Sequence, residues 1–262
     1  MTADLSPADR AKYAAARRSV DFVEDGMKLG LGTGSTAAWM VRCLADRVRA
    51  EGLRITCVPT SQATAAQAAR LGLPLTTLDD TPRLDLTIDG TDEFDPNFDL
   101  IKGGGGAHLR EKIVASASAE MLVIADATKE VACLGAFPLP VEVVEFGLAA
   151  TRAQITDALE SADVMGHEAR LRMAGEAPFR TDQGNLILDL HLRRIGDARR
   201  LSLLLNRIPG VVENGLFLGI CTRIVIGHGD GRTELREAGR GGADRTPPAA
   251  RDAGNLFDDL PG

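Results

Sequence analysis

The first half of the chain alternates short apolar runs with helical periodicities, and this alternation narrows the fold more than any other feature. Met27–Leu31, Ile55–Pro59, Leu73–Thr77, Leu84–Ile88 and Met121–Ala125 read as strands, each bounded by glycine, proline or polar residues. Between them lie helices. Pro7–Val23 opens on Ser6 and Pro7, a fitting N-cap and N1 pair. Ala37–Ala50 puts Met40, Val41, Leu44 and Val48 on one face, Gln62–Leu71 is alanine-rich, and Leu109–Glu120 completes the series. Strands separated by helices form βαβ units, so a mostly parallel, Rossmann-like sheet flanked by helices is expected.

After Phe137-Pro138-Leu139-Pro140 the rhythm changes. Strands at Val141–Val144, Ala169–Met173, Leu186–Leu192 and from Val211 onward interleave with helices at Leu148–Glu160 and Asp197–Ile208. The order βαββαβ is that of a small ferredoxin-like α+β module. The fold class is therefore α/β with a second, smaller α+β domain. The expected boundaries are 1–136 plus 216–228 for the α/β domain and 137–215 for the small one. Ile220–Gly227 is a last strand suited to rejoin the first sheet. Residues 229–262, rich in Gly, Arg, Asp and Pro, read as a disordered tail.

The chain has 262 residues and a formal net charge of −7. That length gives ample core, and that charge argues against a nucleic-acid footprint while leaving room for a small anion in a local pocket. Cys43, Cys57, Cys133 and Cys221 are scattered, with no C-x-x-C pair, and read as buried thiols. No apolar run approaches the ~20 residues that span a bilayer, and the N-terminus lacks a signal-peptide core. The expected location is cytoplasmic, with neither membrane nor nucleic acid as partner.

Candidate chemistry concentrates between Ile88 and Lys112. Asp89 ends an alternating strand, and Asp92, Glu93 and Asp95 follow. Leu100-Ile101 runs into Lys102, then four glycines, Gly103 to Gly106, then a helix start holding Glu111. Four consecutive glycines lose much entropy on folding, so packing alone explains them poorly. Bare backbone instead lets a ligand approach and offers N–H groups to an anion. The isolated readings are blander: a solvated acidic turn, a strand-end lysine, an acid on a helix dipole. Convergence of all three on two strand ends favours a pocket.

Gly32-Thr33-Gly34-Ser35-Thr36 joins a strand to a helix and suits a phosphate. Gly32-x-Gly34-x-x-Ala37 also fits a relaxed dinucleotide fingerprint, but the next strand ends in Thr60-Ser61 where an acid would hold the ribose. A Walker loop is excluded because no lysine precedes Ser35 or Thr36. Lys129, just past a strand end, is either a surface charge or a second pocket cation. A metal held by the three carboxylates would need His108 to complete it and is not expected. His167, His191 and His228 have no motif around them, Trp39 reads as packing, and no serine has a nucleophile-elbow context.

Taken together these stretches resemble the A-type ribose-5-phosphate isomerase family. The matching segments are G-L-G-T-G-S-T (30–36), T-S-Q-A-T (60–64), D-G-T-D-E (89–93), K-G-G-G-G-A-H-L-R-E-K (102–112), I-A-D-A-T-K (124–129), F-P-L-P-V-E-V (137–143), T-D-Q-G-N (181–185) and I-P-G-V-V-E-N-G-L-F (208–217). They span most of residues 8–228. Thr91 and His108 depart from the family's usual alanine and small or apolar residue. The resemblance implies interconversion of D-ribose 5-phosphate and D-ribulose 5-phosphate in the pentose phosphate pathway, with no metal, no organic cofactor and a homodimer. It implies Glu111 as catalytic base. It implies substrate contact by Thr33, Gly34, Ser35 and Thr36, by Asp89, Gly90, Thr91 and Asp92, by Lys102, Gly103, Gly104 and Gly105, and by Lys129.

The residues suit that chemistry. An aldose–ketose isomerase moves a proton between C2 and C1 through an enediolate, and one carboxylate can take it and return it. Lys102 and the glycine amides could hold the enediolate oxygen. Asp89 or Asp92 could accept the hydroxyl proton during ring opening. Two rival functions remain: another sugar-phosphate enzyme, such as an amino-sugar-phosphate deaminase, and a non-catalytic sugar-phosphate sensor. A sensor would ordinarily carry an effector module, and none is visible.

Overall fold

A computed structural model describes residues 5–239. Helix α1 (Pro7–Ser19) begins as its sequence dictates, with Ser6 Oγ accepting from the Asp9 amide at 3.1 Å and proline in the first turn. Strand β1 (Lys28–Leu31) leads to α2 (Ser35–Glu51), which stops at Gly52 in the left-handed region, φ +69°. Next come β2 (Thr56–Pro59), α3 (Gln62–Arg70), β3 (Leu84–Gly90), and the two-residue strands β4 (Glu93–Phe94) and β5 (Leu100–Ile101). Helix α4 (His108–Ser116) and β6 (Ser118–Asp126) complete this half. The remainder is β7 (Leu139–Val143), α5 (Leu148–Glu160), β8 (Glu168–Leu171), β9 (Met173–Ala174), β10 (Ala177–Pro178), β11 (Leu186–His191), α6 (Ala198–Asn206), β12 (Val211–Asn214), β13 (Leu216–Phe217), β14 (Arg223–Gly227) and β15 (Thr233–Glu237).

The main sheet has the order β15-β14-β6-β3-β1-β2 and is parallel except at β15. Both faces of its central strand are buried, as a parallel sheet requires. Leu122 and Ile124 of β6 join a core with Leu31, Met40, Leu44 and Ile88, while Met121, Val123 and Ala125 pack with Phe94, Phe217 and Ile226. The second sheet, β12-β7-β11-β8, is antiparallel throughout, and its strand order 4-1-3-2 is ferredoxin-like. Its core sets Val141, Val143, Leu186, Leu188 and Leu190 against Ile155 and Leu159 of α5 and Leu201 and Leu205 of α6. A three-stranded sheet, β13-β5-β4, lies between, and β13 pairs with β5 through Leu216 and Ile101.

Four expectations are corrected. Leu73–Thr77 is not a strand: Pro74 has no amide to donate, and the segment makes only an isolated bridge between Leu75 and Cys57. The helix expected to reach Glu120 ends at Ser116, because Ala-Ser-Ala-Ser-Ala has no helical period to hold it. Cys133 is exposed, unlike Cys43, Cys57 and Cys221. Residues 233–237, assigned to a disordered tail, form β15 along β14; the tail from 240 onward lies outside the described residues. Among the described residues, no helix is long and apolar enough to cross a membrane.

Candidate functional site

The site gathers at the C-terminal ends of β1 and β3, where a parallel sheet leaves a crevice. Strand β1 hands over to Gly32, whose amide donates to the Ile88 carbonyl at 2.9 Å. A Cβ at Gly32 would collide with the Asp89 carboxylate, so only glycine lets the turn pass this strand end. The Thr33 amide then donates to Asp89 Oδ1 at 3.1 Å. The Thr33 hydroxyl is occupied elsewhere, 2.7 Å from the Thr60 hydroxyl, 2.8 Å from that of Ser61 and 3.1 Å from that of Thr64. Thr60-Ser61 therefore braces the turn from behind. Gly34, at φ +109°, starts α2 and sets Ser35 and Thr36 at the helix N-terminus.

Lys102 follows β5 and is anchored by its amide to the Gly215 carbonyl at 2.9 Å. Its Nζ donates to the Gly90 carbonyl at 2.5 Å and lies 3.0 Å from Asp89 Oδ2 and 3.4 Å from Glu111 Oε2. All three side chains are buried, at 5% exposure or less. The aligned bond goes to Gly90, so Asp89 Oδ2 and Glu111 Oε2 keep the cation close yet have no aligned donor among the described residues.

Two carboxylates facing one ammonium in a dry site cannot both ionise easily. Burial raises Glu111 most, the charge of Asp89 raises it further, and Lys102 only partly offsets them, giving a value of about 8. Burial also raises Asp89, against the opposing pull of Lys102. Burial works against the Lys102 ammonium, but Asp89 and then Glu111 outweigh it and hold it firmly protonated.

The glycine run forms a tight turn. Gly103 (φ +108°) and Gly106 (φ +76°) are left-handed, and the Gly106 amide donates to the Gly103 carbonyl at 2.9 Å. The Gly104 amide donates to Asp92 Oδ2 at 2.7 Å, which ties this loop to the acidic turn. Behind it, His108 is buried against Gly103, and burial drives its imidazole down to about 3, so it is neutral.

These segments line a polar cleft open to solvent on one side. Its walls are the Thr33–Thr36 turn, Gly90 to Asp92, Lys102 to Gly105, Glu111 and Lys129. Every nominated site residue thus reaches the cleft wall except Asp89, which sits behind Lys102 as its counter-ion. Sequence reasoning missed Lys12 of α1, which also lines the cleft. On an amphipathic helix it reads as an ordinary solvated lysine, and only the tertiary placement of α1 reveals it. Glu93 does not face the cleft. It is buried and accepts from the amides of Gly135 at 2.8 Å and Phe137 at 2.5 Å. Asp95 closes a local turn on the amides of Asn97 and Asp99. Among the described residues, no three His, Cys, Asp or Glu side chains converge to hold a metal ion.

Fold and cleft together define a class: an α/β protein with an appended ferredoxin-like unit and a lysine–carboxylate pocket over the ends of its parallel strands. The family model for ribose 5-phosphate isomerase A (phosphoriboisomerase A) matches residues 56–231. A ribose-5-phosphate isomerase A from Cereibacter sphaeroides (strain ATCC 17029) is 62% identical over 260 residues, 99% of both chains. One from Jannaschia sp. (strain CCS1) is 62% identical over 98% of both. Among solved structures, ribose 5-phosphate isomerase from Plasmodium falciparum superposes with a TM-score of 0.82 at 35% identity, covering 87% of this chain and 98% of that one. A D-ribose-5-phosphate isomerase in complex with phospho-erythronic acid gives 0.79 at 36% identity, covering 86% and 97%. The chain belongs to the ribose 5-phosphate isomerase A family and is an isomerase.

Proposed function

We propose that this chain interconverts D-ribose 5-phosphate and D-ribulose 5-phosphate through an enediolate, with Glu111 as the base. The observation that carries the reading is Glu111 itself: buried on the cleft wall, 3.4 Å from Lys102 and with its carboxyl raised to about 8. A carboxylate stripped of water is a stronger base than one in solution, and a value near the working pH suits a group that must both take and give a proton.

The ionised Glu111 removes the proton from C2 of the open-chain aldose. The C–H electron pair becomes the C1–C2 double bond, and the carbonyl oxygen at C1 takes the charge. The same carboxyl returns the proton to C1 through the C1–C2 double-bond pair, the O2 proton passes to O1 as the C2 carbonyl forms, and the ketose results. Lys102 and the Gly105 amide stabilise the oxyanion, an effect worth about 3–4 kcal/mol for a good preorganised donor. Asp92, on the cleft wall, takes the anomeric hydroxyl proton as the C1 carbonyl forms and the C1–O4 bond breaks, and returns it to the ring oxygen, while Asp89 holds Lys102. The phosphate rests at the N-terminus of α2, on Ser35 and Thr36, with Lys12 and Lys129 supplying charge. The phospho-erythronic acid complex of a family member supports a phosphate-bearing ligand. This reading places the chain in the non-oxidative branch of the pentose phosphate pathway.

The direct experiment is isomerisation of ribose 5-phosphate by purified protein and by Glu111→Gln. The variant loses on the order of 10²-fold or more in turnover with KM little changed. Near-normal turnover would remove Glu111 from the base role. Release of ammonia from glucosamine 6-phosphate would favour the deaminase rival instead.

A further inference from the structure

The small antiparallel unit grips the glycine loop through one side chain, Arg172, and the reaction proposed above makes no use of it. Arg172, between β8 and β9, is forked onto Asp189 of β11, with Nε to Oδ2 at 2.9 Å and Nη2 to Oδ1 at 2.5 Å. Both side chains are mostly buried, at 14% and 19% exposure. The remaining nitrogen, Nη1, donates to the Gly103 carbonyl at 2.8 Å and to the Gly104 carbonyl at 3.1 Å. The guanidinium also lies 5.8 Å from the centre of the Phe179 ring, which fills the space a side chain at Gly106 would need.

We propose that Arg172 is a positioning residue that ties the Gly104 amide to Asp92 and aims the Gly105 amide at the reacting oxygen. The reasoning is geometric. In a trans peptide the C=O and the following N–H point in opposite directions. Drawing the Gly103 carbonyl toward Arg172 turns the Gly104 amide the other way, where it meets Asp92 Oδ2 at 2.7 Å. Drawing the Gly104 carbonyl to the same nitrogen turns the Gly105 amide away from Arg172 and toward the cleft that Gly105 lines. A run of glycines has no side chains to fix its peptide planes, so an outside clamp must do it. Asp189 holds the fork rigid, and a planar guanidinium makes these four bonds at fixed angles, two to the carboxylate and two to the carbonyls, where an ammonium has only three donors and no fixed plane.

This inference rests on the isomerase reading for its kinetic arm, and a second arm is independent of it. Arg172→Met keeps an apolar stem beside Phe179 and removes the clamp. It lowers kcat for ribose 5-phosphate on the order of 10- to 100-fold with KM near wild type. Arg172→Lys recovers little of that loss. In glycine-labelled protein, the Gly104 and Gly105 amide resonances shift and their hydrogen exchange quickens. A folded Arg172→Met protein with wild-type kcat, or with unmoved glycine amides, overturns the proposal. Should Arg172→Met not fold, Asp189→Asn loosens the fork with the arginine in place and is read the same way. If wild-type protein fails to isomerise ribose 5-phosphate, the activity reading falls, while the amide measurements still decide whether Arg172 holds the loop.

Discussion

At the scale of single residues, the buried trio of Asp89, Lys102 and Glu111 governs both activity and stability. If Glu111 must be ionised to act, kcat/KM climbs with pH to a plateau, with an apparent pKa of about 8. A kinetic profile flat through that region would sink the assignment. The same shift fixes the sign of a stability effect. The folded state holds this proton up to about 8, while the ordinary value is 4.5. Its contribution is fully present below pH 4.5 and is lost as pH rises through 8. Denaturant titrations of wild type and Glu111→Gln across that window are expected to diverge, with the variant gaining relative stability toward alkaline pH. Lys102→Met leaves the buried Asp89 carboxylate without its counter-ion, beside a Glu111 carboxyl that already holds its proton near neutral pH, which costs about 3–5 kcal/mol there. Less is lost in acid, where Asp89 takes a proton too, and unfolding at two pH values measures the difference. Glycine at 32 is a steric demand of the same site. Gly32→Ala drives a methyl into the Asp89 carboxylate and costs about 1–3 kcal/mol.

At the scale of elements, Glu93 shows how a residue beside the cleft can be wholly structural. Its two oxygens hold the Gly135 and Phe137 amides and pin the segment that leads into β7. Glu93→Leu leaves two buried donors unmade, at about 1–3 kcal/mol each, and a melting curve should show it with kcat less affected than by Glu111→Gln. From sequence, Glu93 was indistinguishable from its neighbours Asp92 and Asp89, because which way a turn throws each acid is decided by tertiary contacts. The glycine run and the Gly32–Thr36 turn were legible, since their backbone demands are written in residue type. Arg172 and Lys12 were not, because each acts across the interior from an element remote in sequence. Strand β6 was readable from Met121 to Ala125 but not at its exposed start, where alanine and serine carry no period. Strand β15 was hidden for a related reason. Thr-Glu-Leu-Arg-Glu is polar, and an edge strand protects itself with such charges.

At the scale of the whole molecule, β15 covers the β14 edge, whose Val225 and Ile226 lie in the core. A chain ending at Gly229 is therefore expected to melt lower and aggregate more readily than one ending at Gly239, by calorimetry and light scattering. Equal behaviour would mean that β15 contributes little. The two-sheet plan was readable because each sheet imposes its own rhythm on the sequence. The join between the sheets was not, since β5 with β13 and Arg172 with the glycine loop are short local contacts without periodicity.

Strand β14 has a further consequence. It pairs with β6, Ile124 beside Val225, after the entire antiparallel unit has intervened. Such distant pairing is entropically slow to close. During synthesis the nascent chain must carry an incomplete hydrophobic wall while the roughly one hundred residues from the end of β6 to the end of β14 are added, about 5–20 s at ordinary elongation rates. Premature release from the ribosome would yield a sticky fragment, so cellular quality control, and not only catalysis, has a stake in where this strand sits.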